Sequence, residues 1–282
     1  MMTRVRLSVM LAVALAGAYV YGQQQSPSTL NTIKVKDDLF VIHNDYVPGN
    51  TTALVTTDGV VLVDDKFEID HDNIMAEVKK VTSQPVRYVI NTHHHGDHTG
   101  GNAKMLAMGG VQILANENAW QNMVDGNQPG RPSITFGQQA HLHVGGKDID
   151  VFHFGRSHTN GDSVVLFRAD RVLAAGDMFT YGDATPELID YAGGGSGKEW
   201  TSTLDSALTL DFDQVVPGHG DVTNKAEMRK FRDATLRLRT RVHEMLVQKK
   251  TKDDIAKMLQ AEFHFAELHL QRSLDGLMAE MQ

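Results

Sequence analysis

The chain has 282 residues, a formal net charge of −8, 41% hydrophobic and 22% charged residues, which excludes global disorder and leaves enough length for a substantial core. An acidic balance of this size speaks against a broad nucleic-acid-binding surface, and a small-molecule substrate is expected instead. Cysteine is absent, which excludes disulfides, thiolate-ligated zinc, iron–sulfur clusters, a thiol nucleophile and a lipoprotein anchor.

Arg4 and Arg6 precede an apolar run, small residues (Ala16, Gly17, Ala18, Gly22) and a polar stretch from Gln23 to Pro27. This is the pattern of a secretory signal over 1–22, cut after Ala18 or Gly22, followed by a flexible leader over 23–32. The run is short for a membrane-spanning helix, so the pattern predicts a periplasmic or secreted protein with no membrane attachment beyond the signal. Strands are expected at 39–42, 52–55 and 60–63, with Asp58-Gly59 as a hairpin turn. Ile74, Val78 and Val81 recur at helical steps over 70–82. A buried strand follows at 86–90, then helices at 102–108 and 116–124. Further strands are expected at 149–154, 164–167 and 172–175, a glycine loop at 193–197 and a helix at 200–210. Residues 225–248 form a long amphipathic helix with Met228, Phe231, Leu238, Val242 and Met245 on its apolar stripe. Thr251 to Asp254 reads as a capping box, and Leu270, Leu274, Leu277, Met278 and Met281 as a last helical stripe. The mixture implies one layered α/β domain over 33–222, with a helical C-terminal extension over 223–282 packed on it.

The chemistry concentrates in Asn91-Thr92-His93-His94-His95-Gly96-Asp97-His98-Thr99-Gly100-Gly101, directly after an apolar strand. The arrangement recurs: apolar runs lead into Gly155-Arg156-Ser157-His158-Thr159, into Gly176-Asp177 and into Pro217-Gly218-His219-Gly220. Loops at strand C-termini build sites in α/β proteins. If these strands align, one sheet edge collects two aspartates and, His94 aside, five histidines. Neutral imidazole and carboxylate suit zinc, and also iron or manganese. The set is too large for one tetrahedral ion, whereas two ions about 3.5–4 Å apart would use it all.

At these residues the chain resembles the metallo-β-lactamase superfamily. The motif His-x-His-x-Asp-His is matched by His93, His95, Asp97 and His98, and the later ligands by His158, Asp177 and His219 in the expected order. Asp64, after 60–63, matches the family's early structural aspartate. The resemblance covers roughly 35–222 and implies a four-layer αββα sandwich with the metal site at one edge of the sheets. It further implies that His93, His95 and His158 bind a first metal, that Asp97, His98 and His219 bind a second, and that Asp177 bridges. His94 takes the motif's variable position, as an exposed residue or one behind the ligands. His95 stands where diiron oxygen-reducing relatives carry Glu. Asp177 stands where one major group of β-lactamases carries a Cys ligand, and resembles thioesterases of the glyoxalase II type and lactonases.

The activity implied is a dinuclear zinc hydrolase that cleaves a β-lactam, lactone, ester or thioester by attack of metal-bound hydroxide, with Asp97 as ligand and proton acceptor. Two competing readings are an iron-dependent sulfur dioxygenase of the same fold and a non-enzymatic periplasmic metal-binding accessory protein. Ser196 sits in a Gly-x-Ser-x-Gly string but lacks the preceding strand of a nucleophile elbow. His141 and His143 share one strand face and read as a solvent-facing pair. Tyr181, Tyr191 and Trp200 either line a pocket or pack, and Asp162 either orients a ligand or forms a turn.

Overall fold

A computed structural model describes residues 26–182, Pro186 and 188–282. The expected signal over 1–22 and the leader's residues 23–25 lie outside the described residues. In chain order the elements are β1 (Asn31–Lys34), β2 (Leu39–His43), β3 (Thr51–Thr56), β4 (Gly59–Val63), α1 (His71–Val81), β5 (Val86–Asn91), α2 (Gly96–Thr99) and α3 (Asn102–Ala107). There follow β6 (Gln112–Asn116), α4 (Glu117–Asp125), β7 (Ile134–Phe136), β8 (Gln139–Val144), β9 (Lys147–Phe152), β10 (Val164–Phe167) and β11 (Val172–Ala174). The chain closes with α5 (Trp200–Ala207), β12 (Gln214–Val216), β13 (Thr223–Asn224), α6 (Lys225–Val247), α7 (Lys252–Phe263) and α8 (Glu267–Glu280).

The strands form two sheets, ordered β1-β2-β3-β4-β5-β6-β7 and β13-β12-β11-β10-β9-β8. The side-chain period of two decides the layers. Val41, Leu54, Val61, Val63 and Ile90 of the first sheet meet Val151, Val165, Phe167, Val172 and Val216 of the second in one buried cluster. Their strand neighbours point the other way. Ile42, Ala53, Val60 and Leu62 pack with Ile74 and Val78 of α1 and Met105 of α3. Val164, Leu166, Leu173 and Val215 pack with Trp200 and Leu204 of α5, Phe231 of α6, Leu259 of α7 and Leu274 of α8. The result is the four-layer αββα sandwich, and the C-terminal helices are its outer layer on the second sheet. No helix among the described residues is long and apolar enough to cross a membrane.

Several local expectations need correction. Asn31 and Thr32, expected in the flexible leader, open β1, where Thr32 pairs with Ile42 and its hydroxyl donates to Glu77 Oε2 at 2.7 Å. Ser28 N–H already donates to Asp70 Oδ1 at 2.6 Å. The turn between β3 and β4 is Thr57-Asp58, because Gly59 at φ 129° is already paired with Thr56. Strand β6 was not expected. The capping box at Thr251 and Asp254 is present at the start of α7.

Candidate metal centre

Strands β4 and β5 are parallel neighbours, as are β11 and β12, so their C-terminal ends lie side by side and the loops after them share one edge. Asp64 follows β4, the His93–His98 segment follows β5, His158 follows β9, Asp177 follows β11 and His219 follows β12. The structure brings together all seven side chains singled out in the sequence. His93, His95, His158 and Asp177 form one group of converging donor atoms, and Asp97, His98 and His219 form another. Asp177 lies between them: its Oδ1 is 3.2 Å from His98 Nε2, and its Oδ2 is 3.4 Å from both His158 Nε2 and His219 Nε2 and 3.8 Å from His93 Nε2.

Each of the five imidazoles has one nitrogen committed to an oxygen behind it. His93 Nδ1 faces Thr92 Oγ1 at 3.1 Å, and that hydroxyl donates to Asp64 Oδ2 at 2.8 Å. His95 Nε2 meets Asp190 Oδ2 at 2.8 Å and His98 Nδ1 meets Asp64 Oδ2 at 2.8 Å. His158 Nδ1 donates to the Leu188 carbonyl at 2.9 Å, and His219 Nδ1 to the Tyr46 carbonyl at 2.8 Å. These partners assign the proton of a neutral ring to the rear nitrogen and leave the front nitrogen as a lone pair. The front nitrogens then face one another, His95 Nδ1 to His158 Nε2 at 2.9 Å and His98 Nε2 to His219 Nε2 at 3.3 Å. His93 Nε2 and Asp177 Oδ1 are buried with no well-aligned hydrogen-bond partner. Converging lone pairs and orphaned buried acceptors are what a cation satisfies, so the donor set fits divalent metal.

The carboxylates of the centre shift its imidazoles unequally. Burial opposes the charged form of His98, but Asp177, Asp97 and Asp64 hold its imidazole well above the ordinary range. Burial opposes the charge on His219 too, yet Asp177 and Asp97 raise it to about 10. His93, buried and crowded by His98, is pushed well below. Despite their burial, His98 and His219 keep Asp97 and Asp177 below the usual carboxylate range. Asp97 and Asp177 thus favour the protonated rings of His98 and His219, and a divalent ion held there would have to displace those protons.

The structure also decides between the alternatives that the sequence left open for the neighbours. His94 is 9% exposed and buried, with Nδ1 3.3 Å from Asn122 Nδ2 and Nε2 3.8 Å from Asp190 Oδ2. Burial, above all, and then the neighbouring His95 push it down to about 3. Asp162 accepts from the Thr159 amide at 2.9 Å and from the Ser157 and Thr159 hydroxyls, so it braces the backbone on both sides of His158 and does not touch the ring. Trp200 donates from Nε1 to the Met178 carbonyl and is core. His141 and His143 pair with Asp150 and Asp148 across the strand, each at 2.6 Å. Ser196 donates to Glu280. Sequence reasoning missed Asp190, Tyr46 and Leu188; Leu188 contributes a backbone carbonyl, and Tyr46 a carbonyl together with a ring whose centroid lies 5.1 Å from that of His219.

Gly49 and Gly218 close over the centre. A Cβ on Gly49 would overlap the His98 ring, and one on Gly218 would overlap Asp177 Oδ1. The Gly49 strand entrance is held by Lys66, whose fully buried ammonium donates to the Gly49 carbonyl and Asn44 Oδ1, each at 2.6 Å. A cavity of about 900 Å³ adjoins this loop, lined in part by Val47, Phe67, Ile69, Gly96, Thr99 and Lys104. It borders the ligand-bearing segment and contains none of the seven side chains.

The sequence profile of the metallo-beta-lactamase superfamily matches residues 44–219. The chain is 27% identical over 230 residues to a metallo-beta-lactamase type 2 of Elizabethkingia meningoseptica, across 78% of this chain and 90% of that one. It is 28% identical over 212 residues to a metallo-beta-lactamase type 2 of Bacillus cereus, across 71% and 78%. A solved metallo-beta-lactamase from Pontibacter korlensis superposes with a TM-score of 0.66 at 20% identity, covering 74% of this chain and 99% of the other, and so shares the fold.

Proposed function

The chain belongs to the metallo-β-lactamase superfamily, and from that membership we propose that this metal-dependent hydrolase is an exported dinuclear zinc enzyme acting on a small acyl compound. The observation that carries the reading is the common orientation of five histidines around Asp177, each with one nitrogen held from behind. In this reading His93, His95 and His158 hold one ion, Asp97, His98 and His219 hold the other, and Asp177 serves both. Two divalent ions in such a setting supply Lewis acidity for a carbonyl oxygen and bring the pKa of a water toward neutrality.

The chain's own residues do the rest. The His95 and Asp97 side chains are 18% and 20% exposed, against 0–9% for the other five, so substrate approaches past them. Asp97, with Oδ2 3.3 Å from His219 Nε2 and a side chain more exposed than the other six, is the carboxylate placed to receive a proton. Val47, Phe67 and Ile69 beside Lys104 offer a mixed apolar and cationic bed for the substituent of the acyl group. The two relatives named metallo-beta-lactamase type 2 make a β-lactam the first substrate to try, ahead of a lactone, an ester or a thioester. Export rests on Arg4, Arg6 and the apolar run behind them.

The test is to load the chain with zinc, count the metal, and assay a chromogenic cephalosporin, a lactone, an ester and a thioester with and without chelator. The expected result is two ions per chain and chelator-sensitive turnover of at least one substrate. A chain that binds no zinc, or that binds it and turns over none of the four, overturns the proposal.

A further inference from the structure

We propose that Glu280, at the end of the last helix, is a positioning residue for the His93/His95/His158 metal site, acting through the glycine loop that it clamps. The inference rests on the metal-centre reading above and extends it to the C-terminal layer.

Three donors from one loop converge on the Glu280 carboxylate. Tyr191 Oη donates to Oε2 at 2.8 Å, Ser196 Oγ to Oε1 at 2.5 Å, and the Lys198 amide to Oε2 at 3.1 Å. The Arg156 guanidinium lies 3.6 Å away while it holds Glu199 at 2.6 Å. One helical turn earlier, Gly276 lies flat against the Tyr191 ring, where a Cβ would overlap it. Before that, Ser273 takes the Ile189 amide at 3.0 Å and returns its hydroxyl to the Ile189 carbonyl at 3.2 Å. Helix α8 thus grips residues 189–198 at both ends.

A carboxylate at a helix C-terminus is opposed by the helix dipole. Glu280 stands at that end of α8, so its place there is accounted for by the loop it holds and not by the helix it belongs to.

The clamped loop holds the ligands. The Asp190 amide donates to the His158 carbonyl at 2.9 Å, and the Leu188 carbonyl accepts from His158 Nδ1 at 2.9 Å. Asp190 Oδ2 fixes His95 at 2.8 Å. The Gly195 amide donates to the Asp190 carbonyl at 2.8 Å, and the Ser196 amide to the Ser157 carbonyl at 2.9 Å. His95 and His158 therefore depend on one segment whose far side is held by Glu280. His98 and His219 are held by Asp64 and the Tyr46 carbonyl, which belong to the other sheet's loops.

This asymmetry sets the experiment. Two backgrounds isolate the sites: His219→Ala leaves the first set complete, and His158→Ala leaves the second. Zinc affinity is measured in each by competition with a chromophoric chelator, with and without Tyr191→Phe, which removes only the hydroxyl that reaches Glu280. Glu280→Gln serves as the second variant. Removing a partner behind a metal ligand costs about 10–100-fold in affinity, and a group one step further back is expected at the low end, about 10-fold. We expect that loss in the His219→Ala background and none in the His158→Ala background. Equal losses in both, or a lowered melting temperature with affinity unchanged, would make Glu280 a purely structural residue and overturn the proposal. If neither background binds zinc before Tyr191 is changed, the metal-centre reading fails, and the clamp falls with it.

Discussion

His98 Nδ1 and Asp64 Oδ2 lie 2.8 Å apart, both fully or nearly fully buried. The same carboxylate accepts from the Thr92 amide and the Thr92 hydroxyl, each at 2.8 Å. The chain reaches this position through a left-handed residue, Asp64 at φ 61°, which turns the side chain from the end of β4 toward the loop after β5. Asp64 therefore fixes the tautomer and direction of His98 and, through Thr92, of His93.

Asp64→Asn keeps the size but replaces one acceptor by a donor. An amide Nδ2 facing His98 Nδ1–H forces the ring to turn or to change tautomer. Zinc affinity is expected to fall by about 10–100-fold, with the larger loss in the Asp97/His98/His219 set. Chelator competition reads it out, and unchanged affinity of both ions would contradict the role given to Asp64.

Asp190→Asn acts on the other set. His95 Nε2 loses a charged acceptor at 2.8 Å, and His94 loses the carboxylate 3.8 Å from its Nε2. First-set affinity is expected to fall by about 10–100-fold, together with turnover, while second-set affinity holds. Measured in the same His219→Ala and His158→Ala backgrounds, a loss confined to the second set would refute this partition.

Lys66 predicts a pH dependence. Burial pushes its ammonium down from the ordinary 10.5 to about 7, against the attraction of Asp70, Asp64 and Asp97. The unfolded chain therefore binds the proton more tightly than the folded one between these values, and stability rises with pH there. The stabilising contribution is complete above about pH 10.5, shrinks as pH falls toward 7, and is gone below. Lys66→Met removes this linkage and leaves a pH-independent offset from the unpaired Asn44 and Gly49 acceptors. Denaturant melts of the chelated protein should show wild type gaining on Lys66→Met from pH 7 upward, by a few kcal/mol at most over that range. A constant difference would mean that Lys66 titrates alike in both states.

Much of the centre was legible because its residues share one local grammar: an apolar strand, a glycine and then a polar side chain, as in Val172–Ala174 before Gly176-Asp177. The layered α/β class was legible in the mixture of strands and helices, while the four-layer αββα order came with the family resemblance; the continuously apolar strand 60–63 fits that order, since its side chains are buried on both faces. The supports behind the ligands were hidden. Leu188 acts through a backbone carbonyl, which every residue carries, Tyr46 through its carbonyl and a ring contact with His219 that no spacing marks, and Asp190 ends no strand and meets His95 from 95 positions away. Strand β6 was hidden by its own last residue. Asn116 caps the next helix, its side chain accepting from the Asn118 amide, and so drew the reading toward the helix. Strand β1 begins on polar Asn31 and Thr32, which look like leader but are held by pairing with β2 and by Glu77.

Gly218 carries the last prediction. It follows Pro217 in the loop after β12, and its amide donates to the carbonyls of Gly176 and Phe179 at 2.9 and 3.0 Å, which presses it against the Asp177 backbone. A Cβ here would overlap Asp177 Oδ1 and crowd the Gly176 carbonyl carbon. Neither can withdraw cheaply, because Asp177 is walled in by His98, His158 and His219 at 3.2–3.4 Å. Gly218→Ala should therefore move the one carboxylate that faces both sets. We expect the folded chain to lose zinc affinity in both the His219→Ala and His158→Ala backgrounds. The loss should exceed anything its melting temperature accounts for, unlike the one-sided losses from Asp190 and Glu280. Gly218→Ala with unchanged affinity in either background would show that Asp177 does not serve both sets.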